Sequence, residues 1–411
     1  MLQQVELGKK SLDDYGPIVG EEVIGEIRGL AAPLKDARVV HVNATAYGGG
    51  VAEILQTLVG LMRDVGLDAE WQVIEGEDEF FEVTKACHNG LQGMDIPFTE
   101  EMRDVWRRYN ELNAKKFEGL SDFVVVHDPQ PAGLLHYHGR YDSRWIWRCH
   151  IDTSSPNPAY WDFFAPYVSE YDAGIFTMEQ YVGPDADFGH LAIIPPTIDP
   201  LSPKNAPMDE AEARGIVAGF GIDVARPLVT QVSRFDPWKD PLGVIDAYRI
   251  VKAEIPEAQL ALVGSMAADD PEGWSYLDKT SRHAGEDFDI HILHNYHGVH
   301  GREVGAFQTA SDVVVQKSTR EGFGLVVTEA LWKGKPVVGG NVGGIPLQVI
   351  DGETGFLVNS VQECAEKVRY LLKHPDQTAL MGMAARERVR ENFLTTRHLA
   401  DYLRLFTELA A

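Results

Sequence analysis

Short apolar runs rich in β-branched residues alternate with longer stretches of helical periodicity along almost the whole chain. The runs lie at residues 38–43 (RVVHVN), 122–127 (DFVVVH), 145–149 (WIWRC), 174–177 and 191–194. They resume at 228–233 (LVTQVS), 259–263 (QLALV), 289–293, 312–316 (DVVVQ) and 336–339. Stretches with a 3.6-residue period fill the gaps, at 51–65, 100–118, 242–254, 325–333 and 361–373. A strand that is apolar on both faces must be covered on both, and strands separated by helices pair in parallel. The rhythm therefore predicts an α/β chain with two parallel sheets, each in a Rossmann-like domain. Between the halves, residues 193–207 (IIPPTIDPLSPKNAP) hold five prolines in fifteen positions, which neither a helix nor a central strand tolerates. A semi-extended linker is expected there. Residues 1–198 then form the N-terminal domain and 199–391 the C-terminal one, with an amphipathic helix at 392–411 after the last strand signal.

Charge removes several function classes. Lys and Arg number 37 against 62 Asp and Glu, a net charge of −25. Such a surface repels phosphate backbones and anionic lipid, so neither nucleic acid nor a membrane is an expected partner. No apolar run approaches the roughly 20 residues of a membrane span. The opening residues lack an apolar stretch of signal-peptide length, and the three cysteines are scattered at 87, 149 and 364. These features predict a cytoplasmic enzyme without disulfides.

Chemistry concentrates where strands end. The first run leads into the glycines Gly48–Gly50 ahead of a helix, a junction that brings free backbone N–H groups to a ligand, although a tight turn would use the same residues. The GxGxxG and GxxxxGK[ST] fingerprints are absent. After the strand at 228–233 comes SRFDPWKD, in which Arg234 and Lys239 could neutralise a diphosphate, as a fork and a point charge. They could equally be exposed cations paired with Asp236 and Asp240. After the strand at 312–316 comes STREGFGLVVTE. Gly322 and Gly324 free the turn, while Glu321 and Glu329 lie about 12 Å apart if the intervening residues are helical. That exceeds the roughly 5–9.5 Å of a glycosidase carboxylate pair, so the two suit opposite ends of an extended ligand. Asn341, Gly343 and Gly344 form a further strand–glycine–helix junction. His150 and the His127–Asp128 pair each close a strand in the first half. Four histidines at 291, 294, 297 and 300 start in a strand pattern and are interrupted by Gly298, a poor zinc spacing. No metal is expected.

Taken together, these junctions resemble the retaining glycosyltransferases of the GT-B fold, in the glycogen-synthase and sucrose-synthase-like group called family 4. SRFDPWKD is similar to that family's Arg…Lys diphosphate clamp, EGFGLVVTE to its E-x7-E element, and NVGGIP to the glycine loop after it. The segments VVVHDPQP (124–131), WRCHIDTSSPN (147–157) and STREGFGLVVTEALWKGKPVVGG (318–340) resemble the trehalose-forming branch most. The resemblance implies two Rossmann-like domains facing across a cleft, with the last helix crossing back to the N-terminal domain. It assigns catalysis to Arg234, Lys239, Glu321 and His150. The donor falls to Gly50, Gly322, Phe323, Gly324, Glu329, Asn341, Gly343 and Gly344, with Glu321 at the transferred sugar and Glu329 at the ribose. Asp128 and Tyr47 are left for the acceptor.

The activity so implied is transfer of glucose from a nucleoside-diphosphate (NDP) glucose to free glucose, giving α,α-trehalose with retained configuration and needing no cofactor. Related trehalose-phosphate synthases require basic residues for an acceptor phosphate, and no such cluster is visible in the sequence. A retaining trehalose phosphorylase using glucose 1-phosphate shares the Arg–Lys pair and stays open, as does another family 4 hexosyltransferase. A non-catalytic nucleotide-sugar binder would not need His150, Glu321 and Glu329 together, and an epimerase should place its acids differently. The base, the direction favoured in the cell and whether the chain forms a homodimer are not encoded in these motifs.

Overall fold

A computed structural model describes residues 1–47, 49–118, 121–266 and 271–411. The chain divides into two compact units, one comprising Met1–Thr197 with Thr395–Ala411, the other Ile198–Leu394.

The first unit is built on seven strands: β1 (Gln3–Gln4), β2 (Arg38–Asn43), β3 (Asp68–Val73), β4 (Phe123–His127), β5 (Arg144–Arg148), β6 (Ala173–Phe176) and β7 (His190–Ile193). Their order is β1-β3-β2-β4-β5-β6-β7, parallel throughout except that β1 runs antiparallel to β3. Every residue of β4 is buried, and β2 is buried from Val39 onward. The apolar runs thus mark the centre of the sheet. Strands β1 and β3 escaped the sequence reading for physical reasons: β1 has two exposed glutamines, and β3 (DAEWQV) carries charge among its apolar residues.

The second unit has six parallel strands: β8 (Leu228–Val232), β9 (Gln259–Gly264), β10 (Ile290–His294), β11 (Val313–Gln316), β12 (Val337–Gly340) and β13 (Gly355–Val358). Their order is β10-β9-β8-β11-β12-β13. Alternation along β9 feeds two cores. Leu260 and Leu262 join Val229, Val313 and Val315 on one face, while Ala261 and Val263 join Leu228, Val232 and Phe307 on the other. This is the doubly wound order, whose direction reverses between β8 and β11. In the first unit the equivalent reversal falls between β2 and β4.

The proline-rich segment, expected as a semi-extended linker, makes contacts of its own. Trp332 Nε1–H donates to Asn205 O and Lys333 Nζ to Asn205 Oδ1, both at 3.1 Å, and Lys204 reaches Glu329. Proline removes ladder donors but leaves side chains and carbonyls free to dock. The last helix is Thr395–Ala410 rather than 392–411, because Pro375–Asn392 is a separate helix and Leu394 instead bridges Ile198. The terminal helix packs within the first unit, where Phe406 stacks on Phe123 with centroids 4.5 Å apart. No helix among the described residues is long and apolar enough to cross a membrane.

Gly340 ends β12 with its Cα against the Ser318 carbonyl, where an added Cβ would collide with backbone. Gly340→Ala should therefore lower stability by about 1–3 kcal/mol, as overpacked sites do. Urea denaturation checks it, and an unchanged midpoint would mean that the two loops yield freely.

Candidate active site

In an open α/β sheet, ligands bind outside the carboxyl ends of the strands, at the point where strand order reverses. In the second unit that point is flanked by the loops after β8 and β11. The loop after β8 is held from several sides. Ser233 N–H donates to Val263 O (2.9 Å), Gln231 Nε2 donates to Lys239 O (2.7 Å), and Asp236 Oδ1 accepts from the Trp238 and Lys239 N–H groups (2.9 and 3.2 Å). Asp240 sits at φ +48° and caps the helix Pro241–Glu254 by accepting from Gly243 N–H (3.0 Å). Its other carboxylate oxygen pairs with Lys317.

This scaffold aims Lys239 at Glu321. The ammonium lies 2.6 Å from Glu321 Oε2, with the side chains 17% and 8% exposed, and Ser318 Oγ–H donates to the same oxygen at 3.2 Å. Lys239 is therefore not paired with Asp240, as the plain reading of an exposed turn expected. Arg234 does match that reading in part: it is 71% exposed and 3.5 Å from Asp236 Oδ2. Gly324, at φ +83°, turns the chain into the helix Leu325–Trp332. Its first N–H groups have no intrahelical acceptor, which suits them to anionic charge. Phe323 is buried and packs on Phe393.

The loop after β12 closes onto the same turn. Gly344 N–H donates to Glu321 O at 3.4 Å, and a Cβ at Gly344 would come within 2.7 Å of Gly322 O and Phe323 Cα. Gly343 adopts φ +56°, and Asn341 donates its backbone N–H to Val358 O. The structure thus brings together Lys239, Glu321, Gly322, Phe323, Gly324, Gly343 and Gly344. Glu329 is different. It is 1% exposed, with Oε1 3.2 Å from Lys204 Nζ and Oε2 accepting from Gln308 Nε2 (3.4 Å). Lys333, in the same network, is pushed down to about 8 by burial. Lys204 and Gln308 were not foreseen, since neither carries a motif.

In the first unit, Asp128 follows β4 at φ +64°, and its Oδ1 accepts from His150 N–H (2.8 Å). Burial raises the Asp128 carboxyl to about 6, against the lowering effect of that hydrogen bond and of the Arg148 charge. His150 Nε2 lies 2.9 Å from His127 Nδ1, and His127 Nε2 lies 3.0 Å from His41 Nδ1. His41, a strand residue without a motif, went unnoticed in the sequence. Gly50 lies in the first turn of the helix Gly49–Asp64, and Tyr47 is 84% exposed in the loop before it. Gly48 is outside the described residues. Among those residues, no group of three His, Cys, Asp or Glu side chains could hold a metal ion.

The class that this fold and these loops define is matched by two family models. One described as "Trehalose synthase, N-terminal domain" matches residues 41–183, and one described as "Glycosyl transferases group 1" matches residues 216–388. The chain is 52% identical to the trehalose synthase of Pyrococcus horikoshii over 410 residues, covering 99% of each. A trehalose phosphorylase of Pleurotus pulmonarius is more distant, at 27% identity over 84% of this chain and 54% of its own length. The fold is similar to that of a solved UDP-forming α,α-trehalose-phosphate synthase from Burkholderia vietnamiensis, with a TM-score of 0.73 at 15% identity, covering 91% of this chain and 99% of the other. The chain belongs to the GT-B glycosyltransferases, in the trehalose synthase family. It is an enzyme of glucoside chemistry.

Two outcomes test the geometry. Lys204→Met strips a buried carboxylate of its cation and should cost about 3 kcal/mol, with much of the loss recovered in the Lys204→Met/Glu329→Gln double variant. Urea midpoints decide this, and an additive double variant would show that the pair is not coupled. Asp128 has a folded pKa above its unfolded value, so the fold favours its protonated form. Its contribution to stability is full below about 4, the unfolded value, and is lost as pH rises to about 6. Asp128→Asn should flatten the stability profile across that window, and an unchanged slope would contradict the assignment.

Proposed function

We propose that this enzyme transfers glucose from an NDP-glucose to free glucose, forming α,α-trehalose with retention at the anomeric carbon. The observation that carries the reading is Lys239, held against Glu321 at the reversal point of the second sheet beside a helix N-terminus. A nucleoside diphosphate needs cationic and N–H partners there, and the loops after β8 and β11 supply both kinds. Similarity to trehalose synthases over the full chain supports the product.

In the mechanism, Arg234, Lys239 and the N–H groups at Gly324 and Gly343–Gly344 gather negative charge as the sugar departs. Donors aimed at developing charge gain strength in the transition state and lower the barrier. Glu321 meets the transferred glucose. Glu329 meets the ribose by exchanging one of its present partners, Lys204 or Gln308. His150 contacts the donor sugar, and Asp128, with Tyr47, serves the acceptor. Arg148, whose charge reaches Asp128, is fully buried rather than presented to an acceptor phosphate, which favours free glucose. The scheme assigns no side chain as a nucleophile; the departing diphosphate accepts the proton of the attacking hydroxyl. Substrate charge is met by cations of this chain, and no cofactor enters the scheme.

The reverse reaction separates the readings. Trehalose with NDP should yield NDP-glucose, while trehalose with inorganic phosphate should yield no glucose 1-phosphate. Rapid phosphorolysis without nucleotide would overturn the synthase reading in favour of a phosphorylase.

A further inference from the structure

His41, His127 and His150 come from the neighbouring strands β2 and β4 and from the residues following β5, and their rings form one chain. His41 and His127 are 0% and 2% exposed. Both links run from an Nδ1 to an Nε2: His41 Nδ1 to His127 Nε2 at 3.0 Å, and His127 Nδ1 to His150 Nε2 at 2.9 Å. The His127 and His150 rings are nearly coplanar in tilt, 15° apart.

Burial disfavours the charged form of all three rings, holding His41 down at about 3 and the other two well below the ordinary imidazole value. The groups around them act in the same sense. Arg148 on β5 depresses His127 and His150, His398 of the terminal helix depresses His150, and Arg397 depresses His398. Asp128, from the end of β4, spends one carboxylate oxygen on the His150 backbone. Tyr402 of the terminal helix lies beside His41, with centroids 5.7 Å apart. At neutral pH each ring therefore carries a single proton.

A neutral imidazole donates from one nitrogen and accepts at the other. Two links among three such rings leave two consistent arrangements: all protonated at Nδ1, or all at Nε2. The buried end of the chain discriminates between them. His41 Nε2 has no hydrogen-bond partner among the described residues. Protonation at Nε2 would leave it an orphaned donor, the rarer defect in folded proteins, whereas protonation at Nδ1 leaves only a bare lone pair. With no partner for His41 Nε2 among the described residues, the chain is suited to orienting a ring rather than to conducting a proton.

We propose that His41 and His127 are positioning residues that lock His150 in its Nδ1-protonated form, making it an obligate hydrogen-bond donor toward a sugar hydroxyl. The identity of the ligand as a sugar rests on the proposed function, but the tautomer does not. A ring fixed as a donor engages an oxygen lone pair and cannot accept from an O–H, which sets the direction of the hydrogen bonds passing through that hydroxyl.

Long-range proton–nitrogen NMR of the full chain, labelled with ¹⁵N-histidine, reads the tautomer directly. All three rings should be neutral and protonated at Nδ1, unchanged from about pH 6 to 8, where an ordinary histidine titrates. His41→Phe should release the constraint, giving His150 mixed tautomers, and should lower kcat/KM for transfer roughly tenfold, the lower end of what a hydrogen-bond partner behind a working imidazole is worth at metal sites. His127→Gln, whose amide can accept from His41 and donate to His150, should keep the Nδ1 form and most of the activity, while His127→Phe should lose both. Protonation at Nε2 of His150 in the wild type, or a tautomer and rate unmoved in His41→Phe, would overturn the inference. Should His41→Phe fail to fold, the wild-type spectrum and the His127→Gln comparison still decide it. A chain that shows this tautomer but transfers no glucose would defeat the proposed function alone.

Discussion

Parallel strands buried on both faces have no room for chemistry along their length. Every residue of β8, β9, β11 and β12 is buried. The polar groups of these loops therefore gather where strands end, and right-handed crossovers bring all the carboxyl ends of one sheet to the same edge. Lys239, Glu321 and Gly344 follow three different strands for this reason, and in the other unit His127 ends β4 while His150 follows β5. Close approach of those loops then requires glycine: Gly344 lies against Gly322 and Phe323, and Gly340 against Ser318.

Within that edge, the excess of acid in the chain is put to use. Lys239 is paired with Glu321, Lys317 with Asp240 and Lys204 with Glu329. A cation partly desolvated without a partner would be costly, so the carboxylates hold these ammonium groups in place before any anion arrives. Under the proposed function, a diphosphate entering this site would compete with carboxylates that are already present, its affinity being the difference between two sets of ion pairs. Arg234, largely exposed and only loosely set against Asp236, is the cation with least to give up.

Legibility followed the range of the interactions. The strands at 38–43, 122–127, 228–233 and 312–316 could be read because full burial writes itself as an apolar run, and their loops because glycine and paired charges are local signals. Strand β3 was hidden by its charged residues. Contacts across the chain left no trace in spacing. His41 is 86 residues from His127, and Lys204 is 125 residues from Glu329. The same proline content that marked 193–207 as a break concealed that the segment docks through Lys204 and Asn205.

In the proposed mechanism Lys239 and Arg234 stabilise charge that develops on the departing diphosphate. Steady-state transfer by Lys239→Ala and Arg234→Ala, set beside NDP dissociation constants for the same proteins, tests it most directly. The account predicts that kcat falls roughly 10²–10³-fold in each, as on loss of one donor aimed at a developing oxyanion, with a smaller change in NDP affinity. Turnover near wild type in both variants, the result expected of exposed ion pairs worth about 0–1 kcal/mol, would contradict it.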